Sequence, residues 1–292
     1  MKIYDTHSDI FDNLYRKALK GEKDPFKQYH LDALKKGKIV GGIWVIYSDS
    51  NFDILKAYEY ALNCFLPYSN QFDVIYGLEG LRNVFDLQTL EKLYHMNVRH
   101  ASLTWNEANH LAGGVKGPVT QGLTDLGREF LAFMKEKRMI VDVSHLNEKS
   151  FYDVLETKPQ LLIASHSNSY SLCNHPRNLT DEQLLALKEA NGMIGAVSVR
   201  SFVSRMPEEQ NIKGFIKQIK YLVSIMGSDR VMLGLDMMDF LPDFQNSNLD
   251  DLTSHRDAQK IVQAMVDSGL NEEDIKKICY QNFLTLKRKM EE

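Results

Sequence analysis

The chain has 292 residues, 43% of them hydrophobic and 25% charged, with a formal net charge of −4. Those proportions are ordinary for a globular enzyme, and the acidic balance argues against nucleic acid or an anionic membrane surface as the main partner. Its three cysteines, Cys64, Cys173 and Cys279, are far apart and form no CxxC pair, which excludes a thiolate zinc site and a disulfide framework.

The chain opens on KIYDTHSDI, an apolar strand carrying His7 and Asp9. Side chains alternate along a strand, so residues two apart are expected on one face. That pairing suits a metal site, an acid/base pair, or a hydrogen-bonded strand end. Further strands are expected in KIVGGIWVIYS, DVIYGLEG and RHASLTWN. LTDLGREFLAFMKEKR then has helical periodicity, with Thr124 as N-cap and basic residues in its last turn. RMIVDVSHL and QLLIASHS read as strands, each ending in Ser-His. LTDEQLLALKEANG is a helix with a capping box of Thr180 and Gln183, and Gly192 suits the position after its C-cap. GMIGAVSV and RVMLGLDMM complete about eight strands, each apolar on both faces as buried parallel strands are. After a polar stretch from Phe240 to Ser254, final helices are expected from about His255 and Glu272, capped by Ser254 and Asn271.

Alternating strands and helices in this number predict one α/β domain over residues 1–292, a (β/α)8 TIM barrel with additional C-terminal helices. A doubly wound sheet is the alternative, but no GxGxxG follows the first strand. No basic-then-apolar leader precedes Ile3, no apolar run approaches the roughly 20 residues of a membrane helix, and the terminal KRKMEE is no lipid-anchor tail. The expected location is the cytoplasm, with no membrane partner.

In such a barrel the active site forms at the C-terminal strand ends. Those ends carry His7 and Asp9, Glu79, His145, His166 and Asp236. Taken singly, each has an ordinary reading as a strand-end hydrogen-bonding group, a turn carboxylate or a cap. Five strand ends delivering three imidazoles and three carboxylates to one mouth favour a metal centre. Imidazole nitrogen and carboxylate oxygen suit divalent zinc, and one carboxylate can bridge two ions. His30, His95, His100 and His255 read as ordinary residues of helical or pre-strand segments, and His110 and His175 as substrate-site candidates on loops at the mouth. The Met237–Met238 pair reads as packing.

These residues resemble the membrane (renal) dipeptidase family of the metal-dependent amidohydrolase superfamily. His7-Ser8-Asp9 is that family's HxD in place of the superfamily's HxH. The likeness continues through GLEG, LTWNEANHLAGG, GLTDLG, MIVDVSHL, SHSNSYSLCNHPRNLTDEQL, VMLGLD and GLNEEDIKKICYQNFL. The resemblance implies two zinc ions, one on His7, Asp9 and Glu79, the other on Glu79, His145 and His166, with Glu79 bridging. It implies that Arg177 binds the substrate's terminal carboxylate and that Asp236 handles the proton of the attacking water. A guanidinium fork suits the first task and a carboxylate the second. Two departures alter the pocket walls and leave the ligands untouched: Trp105 stands where the animal enzymes have a substrate-binding histidine, and MMDF replaces an acidic-glycine turn.

The activity expected is hydrolysis of small dipeptides, L,D-dipeptides among them, by a metal-bridging hydroxide. Trp105 keeps open another reaction on the same metals, N-acyl amino acid or lactone hydrolysis. A non-catalytic binding protein on the same barrel is the reading from a different class, opposed by a full ligand set. The family's habit makes a homodimer compatible, though the sequence itself carries no interface signal.

Overall fold

A computed structural model describes residues 1–292, leaving aside the side chains of Pro242, Asp243 and Gln245 within the polar stretch after the eighth strand. The strands are β1 (Ile3–Ser8), β2 (Ile39–Tyr47), β3 (Asp73–Glu79), β4 (Val98–Ser102), β5 (Ile140–Asp142), β6 (Leu162–Ala164), β7 (Met193–Ala196) and β8 (Val231–Leu233). Each pairs in parallel with the next, and Asp5 opposite Leu233 closes β1 on β8. The expected (β/α)8 barrel is the fold. Its runs are apolar on both faces because one face fills the barrel and the other meets helices. Tyr4, Ile43, Ile75, Ile140, Ile163 and Met232 fill the inside, while Trp44 and Ile46 of β2 pack outwards.

The C-terminal helix Asn282–Glu291 closes the N-terminal end of the barrel. Phe283 stacks on Tyr4 at 4.4 Å, and Asn282 donates to the carbonyls of Ser228, ahead of β8, and Val231, its first residue. The opposite end is left as the open mouth.

Local signals hold with two exceptions. Thr124, Thr180 and Asn271 accept backbone N–H groups as caps, and the Thr180–Gln183 box is reciprocal. Gly192, however, is not the left-handed residue after its helix. Asn191 takes that role at φ 59°, and Gly192 follows, its N–H bonding Leu187 O to complete a Schellman turn. Asparagine tolerates the left-handed region, and the glycine is needed because a Cβ there would meet Leu187. Ser254 makes no side-chain cap either; the turn His255–Asp257 follows it, and Asp257 accepts from the Thr253 N–H and hydroxyl.

His30 is a buried packing residue. Asn13 donates its amide to Phe240 O, so its Oδ1 accepts from His30 Nε2 at 3.0 Å. Burial, reinforced by His255, pushes the His30 pKa down to about 3. In an unfolded chain it titrates near 6.5, so the unfolded state takes up a proton that the folded state refuses. The resulting stability is complete above pH 6.5 and is lost as pH falls towards 3. Between pH 7 and pH 5 the wild type should lose roughly 2 kcal/mol more than His30→Gln in urea denaturation. Equal losses in both proteins would refute this.

Candidate metal centre

Glu79 ends β3 and is the hub of the mouth. Its Oε1 lies 2.7 Å from His145 Nε2 and 3.4 Å from both His7 Nε2 and His166 Nε2. Asp9 joins His7 and Glu79 in one group whose ligand atoms lie within 4.8 Å of one another, and Glu79, His145 and His166 form another. The structure therefore brings together all five residues expected at a metal site. Asp236 Oδ1 stands 4.0 Å from His7 Nε2.

Local backbone aims these groups. Strict alternation would turn His7 away from the barrel axis, since Tyr4 and Thr6 face inward while Asp5 reaches out to His255. A register shift between Asp5 and Ser8 breaks the alternation, as β-bulges do, and brings His7 to the mouth. Asp9 lies beyond the strand, at the N-cap of the helix Ile10–Leu19. The pair thus converges through an irregular strand end rather than through simple period-two spacing. His145 and Asp236 both have left-handed backbones, φ 69° and 53°. Such conformations cost energy in non-glycine residues and gather at functional sites.

The imidazoles are oriented from behind. His145 Nδ1 meets Asn106 Oδ1 at 3.0 Å, and His166 Nδ1 and His7 Nδ1 meet Ser165 Oγ at 2.7 and 3.3 Å. With Nδ1 engaged, each ring turns Nε2 towards Glu79. The Nε2 atoms of His145 and His166 are only 2.8 Å apart, an approach that two lone pairs tolerate only with a proton or cation between them. His7 Nε2 and Asp9 Oδ1 are buried without a hydrogen-bond partner. This donor set of imidazole nitrogens and carboxylate oxygens fits divalent zinc.

Electrostatics point the same way. Burial opposes a charge on His7, but Glu79, then Asp236 and Asp9, outweigh it and raise its pKa to about 10. Burial and Glu79 push the Asp9 carboxyl well above its ordinary range. Glu79 is driven the other way: burial resists its charge, yet His7 and His145 hold it well below the carboxylate range. Burial depresses His145 to about 4, with Arg177 adding repulsion, and takes His166 well down with help from His7. Asp236 rises to about 7, through burial opposed by His7 and aided by Glu79. Acidic groups crowded beside the neutral imidazoles of His145 and His166 are the setting that a bound cation relieves.

The mouth opens as a cavity of about 240 Å³ lined in part by Asp9, Glu79, Trp105, His145, Arg177 and Asp236. Arg177 is buried, donates to His166 O at 3.3 Å, and lies 5.6 Å from the Phe202 ring centroid. Burial lowers its pKa to about 10, which leaves it cationic at neutral pH. Trp105 packs edge-on to Tyr47 at 5.0 Å and 6.1 Å from the His145 ring, with Lys116 Nζ 5.6 Å from its own ring centroid. A larger groove of about 660 Å³ runs between the helices Ile212–Met226 and Gln259–Asp267. It contains none of the cluster, so size alone does not locate the site.

Neither His110 nor His175 lines the cavity. His110 bonds Val84 O and stacks on Phe85; His175 accepts from the Arg177 N–H and so shapes that residue's turn. Met237 is packing, as expected, but Met238 reaches the cavity wall because the backbone turns after Asp236. Tyr47, Asn106, Lys116 and Phe202 also line it and were not foreseen from sequence. Tyr47 ends β2 and Asn106 stands beside Trp105 after β4, so strand-end position was a signal for both.

A model of the membrane dipeptidase family, peptidase family M19, matches residues 64–292. Glu79, Trp105, His145, His166, Arg177 and Asp236 fall inside that stretch, while His7 and Asp9 precede it. The chain is 33% identical over 205 residues, 67% of its length, to an uncharacterized protein in the pqqA 5′ region of Klebsiella pneumoniae, covering 73% of that protein. It is 26% identical over 290 residues, 97% of its length, to the dipeptidase tcpJ of Claviceps purpurea, of which it spans 66%. Among solved structures, a Rhodobacter sphaeroides metallopeptidase liganded with a phosphinate mimic of L-Ala-D-Ala superposes with a TM-score of 0.84. That likeness covers 99% of both chains at 22% identity, and it carries the fold.

Proposed function

The chain belongs to the membrane dipeptidase family, and from that premise we propose that it is a two-zinc dipeptidase acting on small dipeptides. The observation that carries the reading is the convergence of three Nε2 atoms on one oxygen of Glu79, with Asp9 alongside. His7, Asp9 and Glu79 would hold one ion and Glu79, His145 and His166 the other, with Glu79 shared. When bound, such ions supply Lewis acidity to a carbonyl and make water acidic near neutral pH.

The protein's own groups do the rest. Arg177 presents a buried fork of donors, with Nε still unpartnered, to a substrate carboxylate at the cavity wall. Anchoring that end places the peptide bond over the cluster and restricts substrates to short chains. Asp236 has a carboxyl raised towards neutrality, suited to take a proton from water and return it to the leaving amine. Trp105 offers an apolar wall and one N–H donor, so it shapes the substrate without titrating. No described helix is long and apolar enough to cross a membrane, and Cys64, Cys173 and Cys279 are free thiols, which supports a reducing, cytoplasmic setting.

Zinc-loaded protein should hydrolyse L-Ala-L-Ala or L-Ala-D-Ala and should discriminate against the corresponding dipeptide amides. Removing metal with a chelator should abolish activity, and zinc should restore it. Protein shown to hold two metal ions that cleaves neither dipeptide would overturn the reading.

A further inference from the structure

Beneath the cluster lies a buried polar assembly that the proposed reaction does not use. His7, Asp142 and His166 also place one ligand atom each within 4.8 Å of one another, so Asp142 could be taken for a further metal ligand. Its hydrogen bonds argue otherwise. Asp142 Oδ1 accepts the backbone N–H groups of Ser144 at 2.9 Å and Ser165 at 3.0 Å. Its Oδ2 faces His100 Nε2 at 3.2 Å and Ser165 Oγ at 2.5 Å. Four donors occupy the two oxygens, and the carboxylate is a hydrogen-bond hub.

The protons can then be placed. A hydroxyl has one hydrogen and two lone pairs. An ionised carboxylate can only accept, so the Ser165 hydrogen goes to Asp142. What remains on Ser165 Oγ is lone pairs, and both His166 Nδ1 and His7 Nδ1 point at them. Each ring must therefore bring its own hydrogen on Nδ1, which leaves Nε2, the nitrogen facing Glu79, as the one whose lone pair a metal ion would take. The backbone keeps Ser165 in place. Thr6 Oγ1 donates to Ser165 O at 2.8 Å, and Gly195 and Gly234 crowd the same carbonyl so closely that a Cβ on either would come within about 2 Å of it. Ser165 and Asp142 are both buried, shielded from competing water.

We propose that Asp142 and Ser165 are positioning residues that fix His7 and His166 as Nδ1–H tautomers, presenting both Nε2 atoms for metal. One hydroxyl thus serves two imidazoles, one from each of the two ligand groups. The proposal rests on the metal-binding reading of the site above. It predicts that reversing the hydrogen direction matters more than removing an atom. In Asp142→Asn the amide would donate to Ser165 Oγ, the hydroxyl would turn its hydrogen to His166 Nδ1, and that ring would carry its hydrogen on Nε2, where it blocks the metal.

The test combines chelator competition for zinc affinity with long-range proton–nitrogen spectra of the histidine rings. Wild-type holoprotein should show Nδ1–H for His7 and His166. Ser165→Ala should weaken zinc binding by about 10- to 100-fold, the usual scale for such partners. Asp142→Asn should weaken it further and move the His166 hydrogen to Nε2. Should Asp142→Asn fail to fold, Ser165→Ala still decides, because a merely structural role would lower its melting temperature without touching zinc affinity. Wild-type affinity and tautomers in the folded variants would overturn the positioning role alone. A wild-type protein that binds no zinc would overturn both this role and the metal reading beneath it.

Discussion

Glu79→Gln is expected to cut dipeptide hydrolysis on the order of 10³-fold or more, beyond the roughly 10- to 100-fold typical of an outer partner. Metal content should fall below two ions per chain. The substitution keeps the shape of the side chain and changes only charge and donor pattern. In the native site Glu79 Oε1 is within 3.4 Å of all three Nε2 atoms, so a single carboxylate oxygen faces both ligand groups. An amide oxygen carries no formal charge to balance two divalent ions, and an amide nitrogen would set hydrogens against metal. Far-ultraviolet circular dichroism should remain native, because the barrel's hydrophobic filling lies elsewhere. Metal analysis beside kinetics checks the prediction; two tightly held ions and near-native activity in Glu79→Gln would remove Glu79 from the bridging role.

How much of this could be read from the chain depends on whether a feature is local. The eight strands announced themselves because a buried parallel strand must be apolar on both faces, and every such run became one. The strand-end residues followed from the fold, since a barrel turns sequence position into spatial convergence. What stayed hidden depends on tertiary detail. The irregularity in β1 that aims His7 has no sequence signature in IYDTHS, whose alternation would have pointed the ring outward. The left-handed backbones of His145 and Asp236 arise in turns that neighbouring strands impose. In the sequence Ser165 is marked only as the residue before a histidine, although its hydroxyl touches two imidazoles from different strand ends. Lys116 reaches the cavity from a loop and Phe202 from the short helix Arg200–Val203, neither of which a periodicity describes. The choice of Asn191 over Gly192 for the left-handed turn is a smaller case of the same kind.

Asp236→Asn should separate proton transfer from metal binding. The kinetic cost expected for losing a positioned acid–base group is about 10²- to 10⁴-fold in kcat, with little change in zinc content. Asparagine is the informative replacement because it matches aspartate in shape and accepts the left-handed backbone that position 236 requires. Its N–H should still donate to His7 O, which holds the turn against β1. The sign of the pH effect follows from the carboxyl's raised pKa. A base works only when deprotonated, so wild-type kcat/KM should fall as pH drops through the pKa of Asp236. Without metal that pKa is about 7, and bound cations favour the carboxylate, so the acidic limb should lie at or below that value. Asp236→Asn should lose that limb along with the rate. If the variant keeps both its kcat and an acidic limb at the wild-type position, the proton passes through another group, and Asp236 serves only to shape the mouth.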